Sequence, residues 1–329
     1  MPAAPCPSPA PSPLVSVALC TCNGEAYIEA QLASVLAQTY RDVEVVVVDD
    51  ASTDRTAEIV EDAARRDDRI RVHRNPRRLG VNANFARAFA LCRGDFIAPC
   101  DQDDIWSARK LQRLLAAIGE ADLAYCNSAI VDAEGRPTGA TLGGGRRMVK
   151  GRGHAALAFD NTVSGHAMVF RNTLLAEAAP FPDGVWYDWW LAFAALQRGG
   201  IIYVDEVMVE FRRHGGTQTR IGHATAGTRL SRRQRRAREA RQWLTSCAAL
   251  LQAVSARPWP GRELATSLST ALMEARRERR TGPVFWAVLR HRKTLHGDAG
   301  PSLVPAIRLA ARILRRLQRA SADERDSQL

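Results

Sequence analysis

Residues 43–50 read Val-Glu-Val-Val-Val-Val-Asp-Asp, an almost unbroken β-branched run that ends in two carboxylates. A strand with one face in water alternates apolar and polar residues, so this run predicts a strand that is covered on both faces. Strands of that kind belong to parallel sheets with helices on either side. The run therefore predicts an α/β fold with acidic side chains at the carboxyl end of a central strand.

The flanking sequence continues the alternation of strands and helices. Apolar runs predict strands over residues 14–20 and 70–75 and from Phe96, and helical periodicity predicts helices over 28–36, 54–66 and 82–92. Right-handed crossovers turn such a β-α-β-α-β-α-β series into a mostly parallel sheet flanked by helices. Ligands of these sheets bind at the carboxyl ends of the strands. We therefore expect the polar residues after each strand to lie together.

The fourth strand leads into residues 100–106, Cys-Asp-Gln-Asp-Asp-Ile-Trp. Oxygen ligands at a strand end suit Mg²⁺ or Mn²⁺, and these ions take their remaining ligands from substrate phosphates. The alternative is a polar turn that caps a helix starting near Ser107, because Asp is a good N-cap. The sequence contains neither a Gly-rich dinucleotide motif nor a P-loop motif. A metal held by these acids is therefore the economical way to bind a nucleotide diphosphate.

Six short motifs, taken in order, carry a family resemblance. They occupy residues 20–24, 48–54, 79–85, 100–106, 188–190 and 213–216. Their order resembles that of family 2 glycosyltransferases over roughly residues 14–222, most closely the bacterial rhamnosyltransferase-like branch that builds cell-surface polysaccharides. The resemblance implies a GT-A fold, a nucleotide-sugar donor such as a dTDP- or UDP-sugar, a divalent metal and inversion at the anomeric carbon. The acceptor it implies is a glycan or a lipid-linked molecule.

The resemblance also implies roles on the donor side. Asp50 would accept a hydrogen bond from the imide N–H of uracil or thymine, although a turn-stabilising role before Ser52 is the alternative. Asp103 would ligate the metal directly, with Asp104 in a supporting role. Family members commonly place Tyr where this chain has Cys22. The predicted nucleotide-binding residues are Cys20, Thr21, Cys22, Asn23, Asp50, Asn84 and Asp101, and the predicted ligands of Mg²⁺ or Mn²⁺ are Asp101, Asp103 and His214.

On the acceptor side, the resemblance implies that Asp188 is the general base. One carboxylate is enough, because a metal neutralises the leaving diphosphate and replaces the acid that a glycosidase needs. The alternative makes Asp188 a helix N-cap and its Trp neighbours ordinary core residues. For His214, the alternative is an ordinary surface residue. The predicted acceptor-side residues are Ser164, Gly165, His166, Trp189 and Trp190.

The net positive charge comes from the end of the chain. Residues 1–222 contain 24 Lys and Arg against 27 Asp and Glu, whereas residues 223–329 contain 22 against 8. In the last predicted helix, an apolar stripe lies opposite an arginine face, which is typical of a helix on an anionic membrane. The alternative is a helical cap with a solvated arginine face. The stripe comprises Leu303, Ile307, Ala310, Leu314 and Leu317, and the opposite face Arg308, Arg312, Arg315 and Arg319.

We predict a disordered leader over residues 1–13, a catalytic domain over 14–222 and a basic helical region over 223–329. No uncharged stretch is long enough to cross a bilayer, and seven cysteines suggest reduced thiols. We expect a cytoplasmic enzyme, peripheral at the inner face of the plasma membrane. No nucleic-acid-binding motif is present, so nucleic acid is not an expected partner.

Two rival functions stay open at this stage. A non-catalytic nucleotide-sugar or glycan-binding module is one, although such a module has no use for a base such as Asp188. A nucleotidyltransferase is the other. Such an enzyme is expected to have a Gly/Arg/Lys-rich phosphate loop after the first strand. Residues 22–25 read Cys-Asn-Gly-Glu, which is not such a loop.

Overall fold

The computed structural model describes residues 12–146, 148–152, 157–214, 231–278, 282–292, 295 and 304–326. The predicted alternation of strands and helices is present over the first hundred residues. The strands are β1 Val15–Thr21, β2 Val43–Asp49, β3 Ile70–Arg74, β4 Phe96–Asp101, β5 Ile105–Trp106, β6 Leu123–Val131, β7 Pro137–Thr141, β8 Met168–Arg171 and β9 Ile201–Arg212. The helices are α1 Ile28–Leu36, α2 Thr56–Ala64, α3 Val81–Leu91, α4 Lys110–Ile118, α5 Leu174–Ala178, α6 Tyr187–Gln197, α7 Arg232–Ser255, α8 Arg262–Glu278, α9 Gly282–Arg290 and α10 Val304–Asp326.

These strands form one mixed sheet in the order β3-β2-β1-β4-β8-β6-β9-β5, with β7 paired to β6. The half from β3 to β4 is parallel, as predicted. In the other half, β8 runs antiparallel to both of its neighbours, and β5 runs antiparallel to β9. Antiparallel neighbours need no crossover helix, and the chain joins several of these strands through loops. The helical periodicity of the first hundred residues therefore predicted only the parallel half.

The β2 run is covered on both faces, which explains its composition. Val45 and Val47 pack under α1 and α2 in one core cluster, whereas Val46 and Val48 pack in the other. The second cluster also contains Phe85 of α3 and most of α6. The prediction of a strand with two buried faces is confirmed.

The C-terminal helices share the core of the sheet's α6 face. Leu250, Leu251 and Val254 of α7 and Leu268 of α8 are buried in the cluster that contains α6. In α10, Ala310 and Leu317 of the predicted stripe are buried there too, whereas Ile307 is exposed and Leu303 lies outside the described residues. The buried part of the apolar stripe therefore packs against the other helices, and α10 forms part of a helical cap. Among the described helices, none has the length and hydropathy that a bilayer crossing requires.

Some predictions stay untested by this architecture. Residues 1–11 of the predicted leader and residues 215–230 around the predicted domain boundary lie outside the described residues. The described cysteines, six of the seven, are all free thiols, consistent with the expected reduced state.

Candidate active site

The carboxyl ends of β1, β2 and β4 open into a cleft of about 810 Å³. Parallel strands end at one edge of the sheet, so the polar residues after each strand converge there. All but one of the predicted site residues line this cleft: Cys20, Thr21, Cys22, Asn23, Asp50, Asn84, Asp101, Asp103, Ser164, Gly165, His166, Asp188, Trp189 and His214.

Trp190 is the exception. Its side chain is fully buried, its Nε1 donates to the Ala178 carbonyl at 2.7 Å, and its ring packs on Trp259. The structure therefore places Trp190 in the core, as the alternative interpretation of the aromatic run proposed. Trp186, which sequence reasoning did not select, lines the cleft in its stead.

Asp50 holds the segment that leads into α3. Its carboxylate accepts hydrogen bonds from Asn75 Nδ2 and the Leu79 amide at 2.7 Å each, and from the Gly80 amide at 2.8 Å. Gly80 has φ of 86°, a conformation that glycine adopts at little cost. The turn before Ser52 depends on the neighbouring Asp49, whose Oδ2 accepts from the Ser52 amide at 3.0 Å. The turn-stabilising role that we considered for Asp50 thus belongs to Asp49.

Asn84 links this segment to β2. Its Oδ1 accepts from Asn75 Nδ2 at 2.8 Å and its Nδ2 donates to the Val48 carbonyl at 3.0 Å. Both ends of the buried amide are thus engaged within the protein, so Asn84 acts on the cleft mainly by shaping its wall.

A reciprocal pair of hydrogen bonds joins the first motif to the acidic motif. The Cys22 amide donates to Gln102 Oε1 at 2.7 Å, and Gln102 Nε2 donates to the Cys22 carbonyl at 3.1 Å. Arg78 adds a contact from its guanidinium to the Cys22 Sγ at 2.6 Å. Gln102 had no assigned role in the sequence, because its partner lies 80 residues away.

Three side chains form a candidate metal site, with ligand atoms of Asp101, Asp104 and His166 all within 4.8 Å of one another. The Asp104 Oδ2 is buried without a hydrogen-bond partner, which is costly for a carboxylate. Burial and the neighbouring acids Asp103 and Asp188 raise the pKa of Asp101 to about 7, and burial raises that of Asp104 well above its usual value. A divalent cation would satisfy the orphaned oxygen and relieve this repulsion.

His166 suits this site because it is neutral. Burial lowers its pKa to about 3, and neutral imidazole is the form that ligates metals. Its Nδ1 lies 3.8 Å from Asp101 Oδ2 and 3.7 Å from Asp104 Oδ2, while its Nε2 lies 3.0 Å from Ser128 Oγ. Sequence reasoning gave His166 no metal role, since it is distant from the acids along the chain.

Asp103 and His214, two of the predicted metal ligands, also meet. His214 Nε2 lies 2.7 Å from Asp103 Oδ2, and its ring lies 4.7 Å from that of Tyr27. The pair lines the cleft beside the three-residue site, while Gly215 and Gly216 of the same motif lie outside the described residues. Two candidate ligand groups therefore lie side by side: Asp101, Asp104 and His166, whose ligand atoms converge, and the predicted ligands Asp103 and His214.

Lys110 supports this site from within the core. It is fully buried, its Nζ donates to the His166 carbonyl at 2.6 Å, and it lies 3.0 Å from the centre of the Trp106 ring. Burial lowers its pKa to about 8. Lys110 belongs to the buried face of α4 together with Leu111 and Leu114. It is part of no motif, so no sequence pattern assigned it to the site.

Asp188 lies in the first turn of α6, two residues after the N-cap Trp186, so it is not the N-cap itself. It accepts hydrogen bonds from the Trp189 amide at 2.6 Å and the Gly165 amide at 3.3 Å. Burial raises its pKa to about 6. Asp160, another carboxylate that lines the cleft, is paired with Arg146 at 3.2 Å, whereas no basic side chain in the described residues pairs with Asp188.

Comparison with solved structures identifies the class of fold. The structure matches a crystal structure of S. aureus TarS in complex with UDP-GlcNAc over 95% of this chain and 92% of that one, with a TM-score of 0.57 and 16% identity. It also matches the mannosyltransferase PcManGT from Pyrobaculum calidifontis, in complex with GDP-Man and Mn²⁺, over 96% and 88%, with a TM-score of 0.54 and 18% identity. The protein has the GT-A fold of nucleotide-sugar transferases, as predicted.

The sequence comparison finds similar glycosyltransferases. Residues 16–176, just under half of the chain, match the model of glycosyl transferase family 2. An uncharacterized glycosyltransferase of Haemophilus influenzae is 26% identical over 218 residues, 62% of this chain and 67% of that protein. The putative glycosyltransferase EpsH of Bacillus subtilis is 36% identical over 122 residues, 36% of this chain and 34% of that protein.

Proposed function

We propose that this chain is an inverting, metal-dependent glycosyltransferase that moves a sugar from a nucleoside diphosphate to an acceptor hydroxyl. The observation that carries the proposal is the position of Asp188, an unpaired carboxylate with a raised pKa, in the same cleft as the acidic metal site. A general base needs an unpaired carboxylate within reach of the substrate and a pKa close to the working pH. A binding module needs neither, so the arrangement favours an enzyme.

In the proposed reaction, Asp188 takes the proton of the acceptor hydroxyl as its oxygen attacks the anomeric carbon. The bond from that carbon to the diphosphate oxygen breaks on the opposite face, so the configuration inverts. A bound Mg²⁺ or Mn²⁺, held by Asp101, Asp104 and His166, would stabilise the charge of the departing diphosphate. The backbone amides of Gly165 and Trp189 keep the Asp188 carboxylate oriented.

For the donor, we propose a uridine or thymidine diphosphate sugar, with the base near Asp50 and Cys22. The Asp50 carboxylate already accepts three hydrogen bonds, which fix its orientation at the wall of the cleft. The two matched crystal structures contain UDP-GlcNAc and GDP-Man, and both are nucleotide sugars. The resemblance of the motifs to rhamnosyltransferases makes dTDP-rhamnose one of the donors to test, and a cell-surface glycan the proposed product.

A ligand-stabilisation screen tests the proposal. UDP-, dTDP- and GDP-sugars are each added with Mn²⁺, with Mg²⁺ or with chelator, and the melting temperature is recorded. A donor that binds the native state raises the melting temperature by mass action. We expect one nucleotide class to do so only with metal and to release its nucleoside diphosphate on incubation. Absence of any metal-dependent shift would refute the proposal.

We also propose that the enzyme attaches peripherally to an anionic membrane through its C-terminal helices. Because Ala310 and Leu317 of the predicted apolar stripe are buried, this proposal rests on the exposed Arg308, Arg315 and Arg319 and on Trp286, which is 68% exposed. Interfacial Trp and clustered arginines are the usual anchors of peripheral proteins.

A further inference from the structure

The cleft that contains Asp188 is closed on one side by α7. Gln242, Trp243 and Ser246 line it, although they lie well beyond residue 176, where the match to the family model ends. The three positions fall within one turn and a half of the helix and therefore share one face. The C-terminal region thus forms part of the catalytic cleft itself.

Two of these side chains present unused polar groups. Within the described residues, neither Gln242 nor Ser246 makes a side-chain hydrogen bond, and Gln242 is exposed. An amide and a hydroxyl directed at a cleft are the groups that bind sugar hydroxyls, since each can both donate and accept. Both line the same cleft as Asp188. Their neighbour Trp243 bonds the 157–159 segment, whose Leu157 carbonyl accepts from Trp189 Nε1, next to Asp188 in the chain. This neighbourhood corresponds to the acceptor rather than the donor.

The surroundings hold this face of α7 in place. Trp243 Nε1 donates to the Phe159 carbonyl at 2.9 Å, and the Arg316 guanidinium of α10 lies 4.4 Å from the Trp243 ring centre. Arg312 of α10 lies 3.7 Å from Asp160, which also lines the cleft. The last helix therefore contacts two cleft-lining residues, Trp243 and Asp160, and helps to hold α7 in place. A helix held in this way is suited to positioning a substrate.

We infer that Gln242 and Ser246 of α7 form a subsite for a carbohydrate acceptor, so that the C-terminal helices contribute to acceptor specificity. This inference rests on the proposed glycosyltransferase activity. The residues act as positioning residues: they hold the sugar whose free hydroxyl reaches Asp188.

The test uses the full chain with its preferred nucleotide sugar and metal. Release of the nucleoside diphosphate is measured without acceptor and with a panel of neutral and uronic-acid-containing methyl glycosides and oligosaccharides. At least one glycoside is expected to accelerate release. Gln242→Ala is then expected to raise the KM of that glycoside roughly tenfold, the effect of one lost hydrogen bond, without changing the KM of the donor.

Gln252→Ala is the matched control, because Gln252 is an exposed glutamine of the same helix that does not line the cleft. It is expected to leave both KM values unchanged, and Ser246→Ala is expected to behave like Gln242→Ala. Equal acceptor KM values for the two glutamine variants would overturn the inference, as would a panel in which no glycoside accelerates release while the donor is still hydrolysed. A protein that binds no donor fails at the earlier step and refutes the proposed activity as well.

Discussion

At the scale of single residues, the site depends on carboxylates whose burial costs free energy. Asp104 has a buried oxygen without a partner, and the pKa of Asp188 is raised by burial. A structural carboxylate is more often ion-paired, as Asp49 is with Arg74 at 3.5 Å. No Lys or Arg of the described residues pairs with Asp188, and a perturbed acid of this kind in a cleft is characteristic of catalytic sites.

Replacing Asp188 by Asn should lower turnover by about 10²–10⁴-fold, the usual contribution of a positioned general base. Donor affinity should be retained, because the amide keeps the size of the side chain and an oxygen for the Trp189 amide. Turnover and donor titration are compared with Asp183→Asn, a change at an exposed position of the loop before α6. Near-wild-type turnover in the Asp188 variant would assign the base elsewhere.

The rate should depend on pH through Asp188. A base must be ionised, so turnover should fall as the pH drops through about 6, the raised pKa of this carboxyl. The same shift has the opposite consequence for stability: the native state holds the proton more tightly, so this stabilising contribution is largest at low pH and is lost as the pH rises through 6. Profiles of kcat against pH, measured with saturating donor, test the predicted fall in turnover at low pH. A flat profile over roughly pH 5 to 7, the range around the pKa of Asp188, contradicts this prediction.

The metal site makes a separate prediction. Asp104→Asn should weaken the rise in melting temperature caused by Mn²⁺, because it removes a charged ligand, without lowering the melting temperature of the metal-free protein. The second expectation follows because the variant removes a buried carboxylate that the acids Asp101 and Asp103 repel. Asp68→Asn, at an exposed position, is the control. An unchanged response to Mn²⁺ would exclude Asp104 from the ligand set.

At the scale of elements, the segment between β3 and α3 is held mainly by the carboxylate of Asp50. Asp50→Ala removes the acceptor of three hydrogen bonds, two of them from the backbone amides of Leu79 and Gly80 just before α3. We expect the free energy of unfolding to fall by about 2–4 kcal/mol, since lost hydrogen bonds to a charged group leave donors unpaired. Denaturant titration beside Asp68→Ala measures the difference. Loss of donor binding without loss of stability would mean that Asp50 serves the nucleotide alone.

At the scale of the whole molecule, charge and packing are segregated. The region after residue 222 carries all of the net positive charge, and its apolar surfaces are largely used to pack on α6 and on each other. The membrane attachment that we propose would therefore be dominated by electrostatics, with an apolar contribution from the exposed Trp286.

Vesicle sedimentation tests this attachment. The full chain should bind vesicles that contain anionic lipid, and binding should weaken as salt rises. Replacing Arg308, Arg315 and Arg319 by Gln should weaken it further. The control replaces the exposed Arg41, Arg66 and Arg93 of the catalytic part. Arg312 is left unchanged because it contacts Asp160. Equal binding to neutral and anionic vesicles would refute electrostatic docking.

The sequence by itself determined the parallel half of the sheet and the residues that gather at its edge. The strand with two buried faces, the acids after β2 and β4 and the order of the motifs are local patterns, and strand ends of a parallel sheet converge by topology. For this reason, Asp50, Asp101 and Asp103 could be selected without coordinates, whereas Asp188 was selected through the resemblance of its motif.

Only the tertiary structure decided which partners these residues have. In the structure, His166 lies beside Asp101 and Asp104, and Lys110 donates to the His166 carbonyl. Trp190 is buried in the core, as are Ala310 and Leu317 of the apolar stripe of α10. The fold also brings α7 to the wall of the cleft. These contacts link segments that are far apart in the chain. An apolar helical face has the same periodicity whether it meets a membrane or a neighbouring helix. Which of the two it meets is therefore decided by the packing of the whole chain.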